Sequence, residues 1–179
     1  LVTGFILALI LPPSVPLWVP ALGAVFAIIF VKQFFGGLGQ NFMNPAGAAR
    51  CFLLISFASI MGDFTVDGVS SATPLALLGE GGKIDLPRAF LGYTGGCIGE
   101  VSIVAVLIGG IYLIYRKVIN WKIPVTIFVT FAIFEILFAG HGFNLTFLAS
   151  EFCAGGLVFG AFFMATDYVS CPITPLGAI

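Results

Sequence analysis

The chain has 179 residues, 60% of them hydrophobic and 8% charged, with a formal net charge of −1 and a mean hydropathy of +1.16. Soluble domains carry roughly 25% charged residues, and a domain of this length still has a large surface to cover. The composition therefore excludes an ordinary water-soluble domain, and the absence of net positive charge removes the electrostatic case for a nucleic-acid partner. What remains is an all-α, polytopic integral membrane protein. The chain opens at Leu1 inside an apolar run, without Met, and is expected to be a fragment of a longer polypeptide. No basic stretch precedes Leu1–Leu11, so a truncated helix is expected there rather than a signal peptide.

In chain order, Leu1–Leu11 reads as the tail of one span, broken by Pro12-Pro13-Ser14-Val15-Pro16, since prolines remove backbone donors. Trp18 follows, an amphipathic ring suited to the water–lipid boundary. The uncharged run from Pro20 to Val31, extended by its flanks to Phe35, approaches the ~20 residues needed to cross a ~30 Å hydrocarbon layer. Gly36–Gly39 allows a turn, and Asn44-Pro45 predicts a helix start, with Asn as N-cap and Pro at the first position. That helix is expected over Pro45–Met61, short for a full span and fit for a broken helix lining a cavity. Asp63–Phe90 is the long polar segment, with Asp63, Asp67, Glu80, Lys83, Asp85 and Arg88; a loop of this length is usually functional or disordered. Three further apolar helices are expected, at Gly95–Tyr115, Ile123–Ala139 and Leu145–Ala165. Arg116, Lys117 and Lys122 cluster without acids, which predicts a cytoplasmic loop and, one span away, an outward-facing 63–90 loop.

The four cysteines, Cys51, Cys97, Cys153 and Cys171, are scattered singly and read as small core hydrophobes. No metal site is expected from the residues, and an iron–sulfur centre shared with another subunit has no support in their spacing. Gly36–Gly39 is not a dinucleotide fingerprint. His141, alone between glycines, reads as a turn residue. Glu100, Glu135 and Glu151 fall within or beside expected spans, where acids are costly and functional by default. For Glu100 and Glu151, placed near helix starts, a helix-dipole role is the plain alternative, and ion coupling is the sharper one. Asp167 either caps a neighbouring segment or supports a site.

Asp67-Gly68-Val69-Ser70-Ser71-Ala72-Thr73-Pro74 holds three hydroxyls among small neighbours. A threonine hydroxyl attacks phosphorus only when a base takes its proton and a metal polarises the phosphoryl group, both of which a separate enzyme would have to bring. From the residues alone the segment reads as a plain polar loop with an Asx-type turn. The stretch from Asp67 to Thr73 resembles the Asp-Gly-x-(Ser/Thr)-(Gly/Ser)-Ala-Thr motif read by extracytoplasmic flavin transferases. Together with Gly36-Gly37-Leu38-Gly39-Gln40-Asn41-Phe42-Met43-Asn44-Pro45-Ala46, Met164-Ala165-Thr166-Asp167 and Ser170-Cys171-Pro172-Ile173-Thr174-Pro175, it resembles the family of Rnf ferredoxin:NAD oxidoreductase D subunits and the related B subunits of sodium-pumping NADH:quinone reductase. The resemblance covers essentially the whole chain.

It implies FMN attached to Thr73 by a phosphoester, with Asp67, Gly68, Ser70, Ser71 and Ala72 completing the transferase's recognition motif. It implies a second, non-covalent flavin (riboflavin) near Asn41 and Asn44, whose plain alternative is capping and turn formation. It implies a fold similar to urea and ammonium transporters, with two inverted halves and interrupted helices, of which residues 1–179 hold only part, as a single transmembrane domain with a flavin-bearing loop at about 63–90. The expected function is electron transfer in an ion-translocating oxidoreductase of the inner (plasma) membrane, with Glu100 and Glu151 as candidates for coupling to Na⁺ or H⁺. The expected partners are the other Rnf subunits, including a second covalently flavinylated subunit and iron–sulfur subunits, and the flavin transferase. A channel or transporter without a redox cofactor, and a purely structural anchor, are the competing readings.

Overall fold

A computed structural model describes the chain except for residues 38, 67–68, 71–85, 94, 139–143, 172–173, 175–176 and 178–179. The described residues are helical, as an all-α chain requires, apart from one short ladder. Helix α1 spans Val2–Leu9. After the proline-rich turn, α2 runs over Trp18–Phe26 and widens without a break into a π-helical stretch, Ala27–Gln33. The glycines that end it take left-handed backbone angles, with φ of 113° at Gly36, 94° at Gly37 and 87° at Gly39; only Gly adopts these without strain.

Helix α3, Pro45–Ser56, starts as its sequence predicts. Asn44 is extended (φ −63°, ψ 119°), and its side-chain oxygen accepts from Ala46 N at 3.0 Å and Gly47 N at 3.1 Å. The expected continuation to Met61 does not hold. Phe57 leaves helical geometry (φ −133°, ψ 48°) and a separate turn, α4, covers Ala58–Met61. No Gly or Pro marks this break. Trp18 meets Phe57 edge-on with ring centroids 5.3 Å apart, so a tertiary contact accompanies the kink. Beyond α4, strands β1 (Thr65–Val66) and β2 (Val69–Ser70) pair antiparallel, Thr65 opposite Ser70 and Val66 opposite Val69. This is a local ladder at the start of the 63–90 loop and adds no layer to the helical fold.

Helix α5, Leu86–Leu91, then leads to the largest difference from the expected elements. The helix expected from Gly95 begins at α6, Ile103–Tyr115, with Ser102 as N-cap. Residues 95–101 form turns instead, and Gly99 N donates to Leu9 O at 2.7 Å. A side chain at Gly99 would collide with Leu9 and with the Phe159 ring, both within 3.2 Å of its Cβ. Helix α7, Lys122–Phe138, tolerates Pro124 because its first turn needs no donor there. The last expected helix is two. Helix α8 (Leu145–Ala154) ends at an extended Gly155 (φ −149°), and α9 (Leu157–Phe159) restarts and widens into a second π-helical stretch, Gly160–Met164. The two arms are bent by 68°.

Two apolar clusters hold these elements. Leu7, Ile10, Val19, Ala27, Ala49 and Leu53 centre the first, between α1, α2 and α3, and Phe159 joins them from the far side. Ile103, Val158 and Phe162 centre the second, between α6 and the last arm, with Phe128 of α7 packed against it. The outer surface is also apolar: Val125, Val129, Ile133, Phe134 and Leu137 of α7 are exposed, as are Ile108 and Ile111 of α6, Phe30 on the π stretch and Phe34 just after it. Among the described residues no single helix is long and apolar enough to cross a membrane alone; the bent pair Thr146–Cys153 and Leu157–Met164 is, by length and composition.

Candidate functional site

Two segments far apart in the sequence, Asn41–Ala46 and Met164–Cys171, meet in space. Asn44 uses its oxygen for the α3 cap and donates its amide to Met164 O at 3.0 Å. Asn41 is 5% exposed and donates to Met43 O at 3.1 Å and to the Asp167 carboxylate at 3.3 Å. Asp167 also accepts from Ser170 Oγ at 3.2 Å. Asp167 therefore ties Asn41 to the end of the last arm. Burial, and then the Asp167 carboxylate, push the neighbouring Cys171 thiol above its ordinary pKa. The plain role of Asn44, capping, is present in full, and of its two amide hydrogens one is engaged.

Beside this clip lies an open groove of about 680 Å³, walled by Phe26, Phe30, Phe35, Phe42 and Phe52, with Asn44 and Cys51 at its edge. Phe26 and Phe52 stack at 4.2 Å with planes 5° apart, and Phe35 and Phe42 meet edge-on at 4.7 Å. The volume falls within the roughly 300–1,000 Å³ range of small-molecule sites. Cys51 is exposed, unlike the buried Cys97, so the reading of all four cysteines as core residues fails at Cys51. The π widening of Ala27–Gln33 forms the groove's other wall, and such distortions recur at functional sites.

Of the loop expected to carry flavin, Asp67, Gly68, Ser71, Ala72 and Thr73 lie outside the described residues, as does His141. Ser70 is placed by its backbone alone, closing the β1–β2 ladder. Ser14 Oγ donates to Asp63 O, tying the proline-rich turn to the start of that loop. Asn44 and the exit toward Asp63 lie at opposite ends of α3, about 18 Å apart for twelve helical residues. Tyr168 OH donates to Val118 O, so the basic loop after α6 sits at the Asn44 end. The structure thus puts the basic loop and the start of the 63–90 loop at opposite ends.

Glu100 and Glu151 are not brought together. Glu151 is half-buried on α8, within the electrostatic field of Glu135 on α7. Glu100 is not at a helix start, as expected, but in the turn before Ser102. There Arg50 of α3 meets it, Nη1 to Oε1 at 2.9 Å, while Nη2 points at Cys97 Sγ at 3.7 Å. Arg50 is the functional candidate that the sequence reading misses. A charge inside an apolar helix needs a partner, and that signal is present in the sequence.

Interrupted apolar helices, a clipped polar corner and an apolar outer surface define an all-α protein with broken helices. The sequence pattern of the NQR2, RnfD, RnfE family matches residues 1–179, and the chain belongs to that family. It is 48% identical over 187 residues to the D subunit of the Na(+)-translocating ferredoxin:NAD(+) oxidoreductase complex of Acetobacterium woodii, covering 99% of this chain and 57% of the relative. It is 42% identical over 195 residues to the D subunit of the proton-translocating ferredoxin:NAD(+) oxidoreductase complex of Clostridium ljungdahlii, covering 99% and 59%. It is 40% identical over 192 residues to the B subunit of the Na(+)-translocating NADH-quinone reductase of Azotobacter vinelandii, covering 98% and 48%. The chain spans about half the length of these curated relatives.

Proposed function

We propose that this chain is the membrane core of an electron-transfer subunit in an Rnf-type, ion-translocating ferredoxin:NAD⁺ oxidoreductase. The observation that carries this is the family match across 1–179, joined to the Asp67–Thr73 segment in a chain whose outer surface is hydrocarbon. Helix α7 presents apolar side chains outward along most of its length, which water does not tolerate and lipid or a partner helix does. The protein is multi-pass in the inner membrane, this chain holding part of a transmembrane domain of two inverted halves, with the 63–90 loop outside and the basic loop in the cytoplasm.

Thr73 is the residue that would carry FMN by a phosphoester, with Asp67, Gly68, Ser70, Ser71 and Ala72 read by the transferase. The groove suits a second flavin: its aromatic walls match a flat ring, and Asn44 keeps one amide hydrogen for a polar edge. When bound, flavins supply one-electron chemistry between donor and acceptor subunits. This chain's residues would hold the ring: the phenylalanines lining the groove would pack against it, and the Asn41–Asp167 and Asn44–Met164 ties fix the corner beside the groove. Partners include a second flavinylated subunit and iron–sulfur subunits. The test is to express the full-length subunit with a flavin transferase, denature it, and look for yellow fluorescence that stays with the polypeptide on a gel. Fluorescence lost in Thr73→Ala supports the reading. Fluorescence absent from the wild type, or unchanged in Thr73→Ala, overturns it and favours the cofactor-free channel.

A further inference from the structure

The Arg50–Glu100 pair lies about 9 Å along α3 from Asn44, near the middle of that helix and between its two ends. Three separate segments converge on it. Arg50 comes from α3, Glu100 from the turn before α6, and Gly156 from the break between α8 and α9. The carboxylate packs directly over Gly156: a Cβ there would lie 2.5 Å from Glu100 Oε1, 3.0 Å from Cδ and 3.1 Å from Cγ. The extended Gly155 ends α8, and the last carbonyls of a helix end have no intrahelical partners. Arg50 is 35% exposed and Glu100 14%, so the guanidinium faces the open side and the carboxylate faces the break.

A carboxylate at this depth without a countercharge is strongly disfavoured. Arg50 supplies that charge, and it lets go only if another cation takes its place at Glu100. We propose that Arg50 is a positioning residue for ion coupling: it holds Glu100 against the α8–α9 break and competes with the transported cation for that carboxylate. This rests on the ion-translocating reading above, and it goes further by naming the residue that opposes the ion.

The test uses the full-length subunit in its assembled complex, reconstituted in proteoliposomes. Cations moved per electron are measured with labelled Na⁺ and with a pH-sensitive dye, beside the electron-transfer rate and in-gel flavin fluorescence. Arg50→Met is expected to lower the ion-to-electron ratio by about fivefold, within the usual range of a coupling effect, with flavin and electron transfer kept. Arg50→Lys, which keeps the charge, is expected to restore most of the ratio. Arg50→Met combined with Glu100→Gln is expected to be no worse than Glu100→Gln alone, because the two act as one unit. An unchanged ratio in Arg50→Met, an Arg50→Lys as deficient as Arg50→Met, or a double variant with additive losses overturns the proposal. Loss of flavin and assembly in Arg50→Met but not in Arg50→Lys leaves the Lys ratio to decide: at the wild-type ratio the charge suffices, and a fall with flavin intact refutes it. A wild-type complex that transfers electrons but moves no cation removes the functional reading itself.

Discussion

Asn44→Ala removes two structural ties at once, and their cost can be worked from the geometry. The Asn44 oxygen caps Ala46 N and Gly47 N, at 3.0 and 3.1 Å. Replacing an Asn cap by Ala costs about 1 kcal/mol. The amide's bond to Met164 O, at 3.0 Å, joins α3 to the last arm, and a hydrogen bond of this kind contributes about 1 kcal/mol. The sum, about 2 kcal/mol, corresponds to a fall in Tm of about 4–8 °C for a domain of this size. Asn44→Ser separates the two terms. Serine still caps but is too short to reach Met164, so about half of the loss is expected. The assay is thermal unfolding of the full-length subunit in detergent, followed by tryptophan fluorescence. An Asn44→Ala protein within about 1 °C of wild type contradicts this account, because surface changes away from special features stay within about 0.5 kcal/mol. A serine variant as damaged as alanine contradicts the claim that the cap is worth half.

Three more outcomes rest on close packing and on the groove. Gly110→Ala puts a Cβ 2.5 Å from the buried Phe162 ring and is expected to destabilise by about 1–3 kcal/mol, whereas Gly4→Ala, with nothing within 4 Å, is expected to be neutral or slightly stabilising; equal melting temperatures for the two would contradict the packing. Cys51 is expected to be alkylated by a small maleimide in flavin-depleted protein and protected by added riboflavin, while the buried Cys97 stays unmodified throughout. Equal labelling with and without riboflavin would put the second flavin elsewhere. Gly156→Ala is expected to displace the Glu100 carboxylate and lower the ion-to-electron ratio as Arg50→Met does; an unchanged ratio would show that the break does not need Glu100 against it.

Sequence signals are legible here wherever the physics is local. Asn44-Pro45 sets the start of α3 because an Asn oxygen and a proline at the first position suit that geometry by themselves. Gly36–Gly39 reads correctly as a turn. Breaks made by distant contacts do not show. Phe57 kinks where Trp18 packs, and no window of sequence brings those two residues together. Gly155-Gly156 falls inside the helix expected over Leu145–Ala165, because small residues serve close helix approach as readily as they serve an interruption. Apolarity alone extends the expected helix back over residues 95–101, although Ser102 marks a later start. The β1–β2 ladder is not among the expected elements. The ion pair is half legible: Glu100 stands out as a costly acid, but its partner Arg50 lies far away in the chain, inside an apolar helix.

The most direct measurement of the central claim is peptide mapping by mass spectrometry across the Asp67–Leu75 segment, on full-length subunit made with an active flavin transferase. The account predicts a peptide heavier by FMN linked through its phosphate, with the added mass on Thr73 rather than Ser70 or Ser71, and an unmodified peptide from Thr73→Ala. An unmodified wild-type peptide, or the flavin on a different residue, would contradict it.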